Sequence, residues 1–227
     1  MTRQRNPHQT DPSKNPDRIG AITASPSGGL HAAIQKNSKG GYNQRSRESL
    51  IDTKVSEQLT GWQEEVYISK AMQNGIDREA DCKEAFEEAT GRAILDVSFT
   101  LHKKIGYFGA SPDGVFEDNP GELIEIKCPL QKTYARFLRT LEIPAEYQTQ
   151  MIAQVACMQH IPNKAQGAKS VLFIMYHPRF YPSFVAVPFK VTVKQIKELE
   201  SEVTILVSEI IEARLTAESN QWQELIK

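Results

Sequence analysis

Apolar residues recur along this chain at two different periods, and the changes between them divide it into elements. Ile196, Leu199, Val203, Leu206 and Ile210 are spaced 3, 4, 3, 4, a single apolar stripe within a tail from about Thr192 to Lys227. That spacing predicts one long amphipathic helix or a helix pair, suited either to a coiled coil or to packing on the chain's own domain. Ile51, Val55, Leu59 and Trp62 recur at helical spacing within Leu50 to Asn74. A clearer helix is predicted next, with Asp77 as its cap, acids including Glu79 in its first turn, and Gly91 at its end. The period then changes to two. RAILDVSFTLH (92–102) reads as one strand, GYFGASPDGVF as a second with a tight Asp-Gly end, and ELIEIKC as a third. Asn119-Pro120-Gly121 is a turn signal that makes the second and third a hairpin. Residues 130–160 read as two helices broken near Ile143-Pro144, and KSVLFIMY and SFVAVPFKV as two further strands. The order predicts one mixed α/β domain, and no internal repeat interrupts it.

Polar stretches set the boundaries. Residues 1–17 contain three prolines and almost no apolar side chain, and are expected to form a disordered arm. Arg3, Arg5 and Lys14 there suit a polyanion or plain solvation. A single domain is expected over 18–227, beginning at RIGAITASPSGGL and ending in the C-terminal helix. QKNSKGGYNQRSRES (35–49) reads as a loop. Its four basic residues and Tyr42 suit contact with DNA, and a plain flexible loop fits equally well.

Composition narrows the class. A 227-residue chain with 40% hydrophobic and 24% charged residues suits a soluble globular protein, and a net charge of -1 excludes a strongly basic DNA-coating protein. Three cysteines (Cys82, Cys128, Cys157) without a C-x-x-C argue against a disulfide framework and for a reducing cytosol. The polar start carries no signal-peptide pattern, and no apolar run approaches the roughly 20 residues needed to span a bilayer. The five histidines are scattered, and no G-x-x-x-x-G-K-[ST] is present, so a histidine-based metal site and nucleotide-driven activity are not expected.

Chemistry concentrates in SPDGVFEDNPGELIEIKCP (111–129), which holds five carboxylates and one lysine. Side chains at i and i+2 of a strand share a face, so Glu125 and Lys127 project together while Ile124 and Ile126 face the core. The hairpin returns Asp113 alongside Glu125. Two carboxylates that close repel unless a cation intervenes. Hard divalent ions prefer oxygen ligands, and the Ile126 carbonyl offers another. A metal on Asp113 and Glu125, with Glu79 as a third acid and Lys127 beside an attacking water, supplies the parts for phosphodiester hydrolysis. The plainer reading is an acidic surface hairpin, since Glu-x-Lys on a strand and Asp-Gly in a turn are both common.

A wider set of residues weighs against the plainer reading. Pro112-Asp113, then Glu125-Ile126-Lys127 eleven residues on, has the form of the PD-(D/E)xK nuclease signature. RIGAITAS at 18–25, Glu79, SPDG at 111–114, EIKCP at 125–129 and YQTQ at 147–150 accompany it in order. Over about residues 18–180 the chain resembles the phage lambda exonuclease, or YqaJ-type viral recombinase, family. The resemblance implies a restriction-endonuclease-like fold, a mixed central sheet flanked by helices. It implies an ATP-independent exonuclease using Mg²⁺, with two ions bound and Mn²⁺ able to substitute. Such an enzyme processively digests the 5′-ended strand of linear duplex DNA and leaves a 3′ overhang for a single-strand annealing protein. It implies a toroidal homotrimer encoded by a phage or prophage, working in the host bacterial cytoplasm with no membrane partner.

Residue by residue, the resemblance assigns Glu79, Asp113, Glu125 and the Ile126 carbonyl to the metal, and Lys127 to catalysis. It places Gln150 at the active site, with Gln154 one turn on as a weaker candidate, and Arg18, Ser25, Ser111 and Lys70 around the 5′-phosphate. A guanidinium with two hydroxyl donors suits a phosphate. Taken singly, Ser25 reads as a helix cap, Ser111 as a turn residue and Gln150 as a surface residue. Some relatives carry another acid where this chain has His102, Lys103 and Lys104. The rivals are another PD-(D/E)xK nuclease, either an endonuclease or a Cas4-like enzyme, and a non-catalytic DNA-binding module on the same fold.

Overall fold

The computed structural model describes residues 16–64, 69–160 and 167–224. Most of the predicted N-terminal arm thus lies outside the described residues. Helix α1 (Leu30–Ile34) leads to α2 (Gln44–Thr60), whose start is set by Asn43: its side chain accepts the Ser46 N–H at 3.3 Å. The expected 35–49 loop is therefore shorter, because Asn43 caps a helix whose opening stretch, QRSRES, carries no apolar side chain to reveal it. Gly61, at φ 65°, ends α2, so the helical pattern read from Leu50 to Asn74 is not one helix. Trp62 falls beyond that break and is 58% exposed. Helix α3 spans Lys70–Thr90. Asp77 lies inside it rather than at its start, and its Oδ1 accepts from Gln73 Nε2 at 2.7 Å, one turn back. Glu79 therefore sits in the third turn. Gly91 (φ 71°) closes the helix, as its position suggests.

Two of the expected strands divide between two sheets. Residues 92–102 yield β2 (Ile94–Leu95) and β3 (Thr100–Leu101), and 106–116 yield β4 (Phe108–Ala110) and β5 (Gly114–Phe116). Pro112 has no N–H for a ladder, and the chain changes sheets across Ser111-Pro112-Asp113. The small sheet has the order β1-β4-β3, where β1 is Ile22–Thr23. The larger has the order β2-β5-β6-β7-β8, with β6 at Glu122–Lys127, β7 at Ser170–Tyr176 and β8 at Phe184–Lys190. The β5–β6 hairpin turns at Asn119, whose carbonyl accepts the Glu122 N–H at 3.0 Å. Strand β6 lies at the centre, antiparallel to β5 and parallel to β7. Leu123, Ile124 and Glu125 on it are fully buried.

Helices α4 (Gln131–Thr140) and α5 (Ala145–Cys157) cover one face of this sheet through Tyr134, Phe137, Met151 and Val155, which pack with Leu123 and Phe173. Phe86 and Cys82 of α3 cover the other with Ile124, Ile126 and Ile174. The tail forms one helix, α6 (Val193–Glu224). Leu199, Val203, Leu206 and Ile210 pack on Ile22, Leu30, Phe108 and Ala153, so the stripe serves the chain's own core. Arg47, buried on α2, straps this helix down. It donates to both Glu209 oxygens at 2.7 and 2.9 Å and to the Ala33 carbonyl at 3.0 Å, above the Tyr42 ring. Tyr42 Oη and Lys36 Nζ both reach Glu202, at 2.6 and 2.5 Å. Three groups the loop offered to DNA are thus engaged with α6.

The RIGA turn is held by a buried charge network. Glu57 accepts from the Gly20 N–H at 2.9 Å, from Lys54 Nζ at 2.8 Å and from Gln63 Nε2 at 3.1 Å. Lys54 and Glu57 are both almost fully buried, so removing one carboxylate leaves a buried ammonium unpaired. Glu57→Ala is expected to lower stability by about 3 kcal/mol in urea unfolding. Adding Lys54→Met should restore part of that loss, and strictly additive losses would contradict the pairing.

Candidate active site

The hairpin register creates the site. Gly114 pairs with Ile124 and Val115 with Leu123, so the same antiparallel register sets Asp113 opposite Glu125. The Asp113 N–H donates to the Ile124 carbonyl at 3.0 Å, and the Ile126 N–H donates to Asp113 Oδ2 at 2.6 Å. Glu125 and Lys127 project from the same face of β6 and touch: Lys127 Nζ lies against Glu125 Oε1. The other Glu125 oxygen accepts from Gln154 Nε2 of α5 at 2.5 Å. The Tyr147 ring centroid lies 5.1 Å from Lys127 Nζ.

Glu79 approaches from α3, close enough for the Asp113 and Lys127 charges to act on it. Its Oε1 lies 3.3 Å from Lys83 Nζ, one helical turn on, and that ammonium also reaches Asp96 Oδ1 at 3.0 Å. Lys83 is buried, and neither it nor Asp96 was singled out from the sequence. A lysine four residues after a glutamate on a helix was the available signal for Lys83. As placed, the acids are matched by ammonium groups. Among the described residues no three His, Cys, Asp or Glu side chains form a ready-made metal set.

Electrostatics reflect burial first and mutual repulsion second. Desolvation, then the Asp113 charge, pushes Glu79 and Glu125 each up to about 7. Burial also raises Asp113, against the pull of Lys127 and the Ile126 N–H. For Lys127, burial disfavours the charge, but Glu125 and Asp113 together outweigh it and hold the pKa above its ordinary value. Lys83 is raised in the same way, with burial opposed by Glu79 and Asp96.

Of the residues assigned to a phosphate, Ser25 and Ser111 lie just past strands β1 and β4 of the small sheet. Ile22 pairs with Phe108 and Thr23 with Gly109 in parallel, and Ser25 and Ser111 follow the ends of these two neighbouring strands. Ser25 stands at the N-cap position of a 3-10 turn, Pro26–Gly28, yet its hydroxyl makes no capping bond. It lies 3.1 Å from Ser27 Oγ and 3.5 Å from Thr23 Oγ1. Gly28 permits this fold, since a Cβ there would fall 2.4 Å from Thr23 Oγ1. Ser111 Oγ is buried and has no hydrogen-bond partner among the described residues. The Arg18 guanidinium stacks over Phe99 at 4.9 Å, and burial lowers its pKa. The Phe99 ring in turn covers Gly109, where a Cβ would come within 2.3 Å of it. Lys70 opens α3, but its side chain lies outside the described residues.

Gln150 is buried on α5, so it is not a surface residue, and its Oε1 has no partner among the described residues. Gln154, the weaker candidate, is the glutamine bonded to Glu125. His102 is bonded to other groups. Its Nδ1 accepts the Lys104 and Ile105 N–H groups, so Nε2 carries the proton given to Glu200 at 3.1 Å.

A mixed sheet whose central strand ends in Glu-x-Lys, with an aspartate opposite it on the neighbouring strand, defines the PD-(D/E)xK class of nuclease fold. Within that class the chain belongs to the YqaJ-like viral recombinase domain family, whose model matches residues 16–160. It is similar to the alkaline exonuclease LHK-Exo of Laribacter hongkongensis, with 27% identity and a TM-score of 0.76 over 91% of this chain and 95% of that one. The same exonuclease in complex with dAMP matches at 27% identity and TM-score 0.77, over 92% and 96% of the two chains. A phage-related exonuclease from Haemophilus somnus 129PT shares the fold at 11% identity, with TM-score 0.61 over 88% of this chain and 96% of that one. No curated protein matches in sequence.

The shifts of Glu79 and Glu125 bear on stability. Each binds its proton near pH 7 when folded, against an ordinary value of 4.5. Between those values the folded chain holds more protons than the unfolded one. The stabilisation they contribute is full below about pH 4.5 and is lost as pH rises through about 7. Glu125→Gln removes one of the two groups. In chelator, its urea midpoint should fall less steeply than the parent's between about pH 5 and 7. Parallel profiles would show that Glu125 titrates normally.

Proposed function

We propose that the chain is a Mg²⁺-dependent, ATP-independent exonuclease. It digests the 5′-ended strand of linear duplex DNA processively and leaves a 3′ overhang for recombination by single-strand annealing. The carrying observation is Asp113 set opposite Glu125, with Lys127 on the same strand, in a chain of this family. Exonuclease activity in the structural relative LHK-Exo supports the reading.

Glu125 is buried, Asp113 and Glu79 are partly so, and the Asp113 charge raises the pKa of the other two, a set that fits a hard divalent cation. Glu79, Asp113, Glu125 and the Ile126 carbonyl would hold Mg²⁺, as two ions in the fullest form, with Mn²⁺ as a substitute. When bound, the metal supplies Lewis-acid polarisation of the phosphate and a more acidic water. The chain's own groups do the rest. Lys127, kept protonated by Glu125 and Asp113, orients the water and donates to the phosphoryl oxygens as charge builds on them. Its raised pKa favours a donor over a base. Gln154 fixes one oxygen of Glu125, and Lys83 engages one oxygen of Glu79.

Ser25 and Ser111 at one strand end, with Arg18 nearby and Lys70 on α3, would hold the terminal 5′-phosphate. A buried hydroxyl without a partner among the described residues, as at Ser111, fits a polar ligand. An anchored end phosphate explains a start at ends, and a toroidal homotrimer closed around DNA explains processivity. The setting of this reading is a host bacterial cytoplasm, with phage or prophage origin and a single-strand annealing protein as partner.

End-labelled linear duplexes, with and without a 5′-phosphate, test the reading in Mg²⁺. Loss of label from the 5′ end, faster with the phosphate and absent in chelator, is expected. Linearisation of a closed plasmid, or indifference to the phosphate, would favour an endonuclease instead. Lys127→Ala should reduce digestion by about 10²–10³-fold or more while retaining duplex binding. Undiminished digestion would remove Lys127 from the mechanism.

A further inference from the structure

Helix α4 carries charge that the site does not use. Its sequence, QKTYARFLRT, has no acid, and its cations Lys132, Arg136 and Arg139 are four and three residues apart. That spacing places them on one face. All three are exposed, while Tyr134 and Phe137 are buried in the core. With Thr133 and Ala135 they line a shallow hollow of about 510 Å³. Arg92, by contrast, is paired with Asp118 and Glu122, and Arg214 with Glu218. Lys132, Arg136 and Arg139 have no carboxylate partner among the described residues.

The position of this face matters as much as its charge. Helix α4 starts four residues after Lys127. Phe137 packs on Phe173 at 5.8 Å between ring centroids, Phe173 on Tyr147 at 5.7 Å, and Tyr147 lies beside Lys127 Nζ. The basic face and the lysine of the site are thus joined through three packed rings. From Lys132 to Arg139 the helix rises about 10 Å. A nucleic-acid strand, rising about 3.4 Å per nucleotide, offers about three phosphates over that length. A row of cations matches such a repeating anion better than it matches a single phosphate.

We propose that the exposed face of α4 is a docking surface for the phosphate backbone of DNA, engaging the substrate beyond the position of hydrolysis. This rests on the nuclease reading above. Lys132, Arg136 and Arg139 hold the duplex through sequence-independent contacts. They keep it against the catalytic strand between successive cuts.

The test is the full chain carrying Arg136→Ala and Arg139→Ala together; both residues are exposed, so the fold is retained. Binding of a 5′-phosphorylated duplex of about 40 base pairs is followed by fluorescence anisotropy in chelator, from roughly 50 to 200 mM salt. The dependence of log affinity on log salt should be shallower by about 2. In Mg²⁺ the KM for duplex should rise about tenfold with kcat retained, and Arg136→Lys with Arg139→Lys should restore most of the loss. An unchanged salt slope and KM would overturn the proposal. An unchanged slope with lost binding of a polyglutamate peptide would identify the face as an acidic-protein site and also overturn it. If the unaltered chain binds duplex but digests none, while the slope still falls in the variant, the docking surface stands and the nuclease reading fails.

Discussion

The fold is arranged around a repulsion. Asp113 and Glu125 are set opposite one another by the antiparallel register of β5 and β6, with Glu125 fully buried and Asp113 partly so. Burial alone disfavours each charge, and proximity adds to the cost. Every neighbouring element brings something to meet it. Strand β6 contributes the Lys127 ammonium and the Ile126 N–H, α5 contributes the Gln154 amide, and α3 contributes Lys83 beside a third acid, Glu79. An arrangement of this kind stabilises the folded chain poorly by itself. Its persistence at the centre of the sheet is better explained by chemistry than by stability.

Legibility in the sequence followed the range of the interactions. The hairpin, its turn at Asn119-Pro120-Gly121 and the shared face of Glu125 and Lys127 are local, and period two with a turn signal reveals them. The stripe on α6 is periodic and equally plain, and the structure resolves its alternatives by packing it on Ile22 and Phe108. The Lys83–Asp96 and Gln154–Glu125 contacts join residues on different elements, and spacing does not encode them. Helix boundaries were the weakest part. Asp77 resembles a cap but lies within α3, where its carboxylate meets Gln73 instead, and Asn43 caps a helix whose first turns carry no apolar side chain. Arg47 shows why a basic, polar stretch is ambiguous. The guanidinium that suits a phosphate equally suits Glu209 once α6 is folded against it.

The two sheets divide the labour of the proposed reaction. Ser25 and Ser111 follow the ends of parallel strands in the small one, and Asp113 and Glu125 belong to the large one. Helix α2 supports the first through the Glu57 contact to Gly20, and α3 and α5 flank the second. Disturbance of the Glu57 network would therefore reach the RIGA turn before it reached Lys127.

The crossing at Pro112 has one more consequence. Ser111 follows β4 of one sheet and Asp113 belongs to the acid pair of the other, yet one residue separates them. Two peptide units reach at most about 7 Å. Under the proposed reading, the interval from the held end to the bond attacked is set by covalent geometry rather than by packing. Under that reading the Cα atoms of Ser111 and Asp113 cannot drift further apart than about one nucleotide's length, whatever the helices around them do.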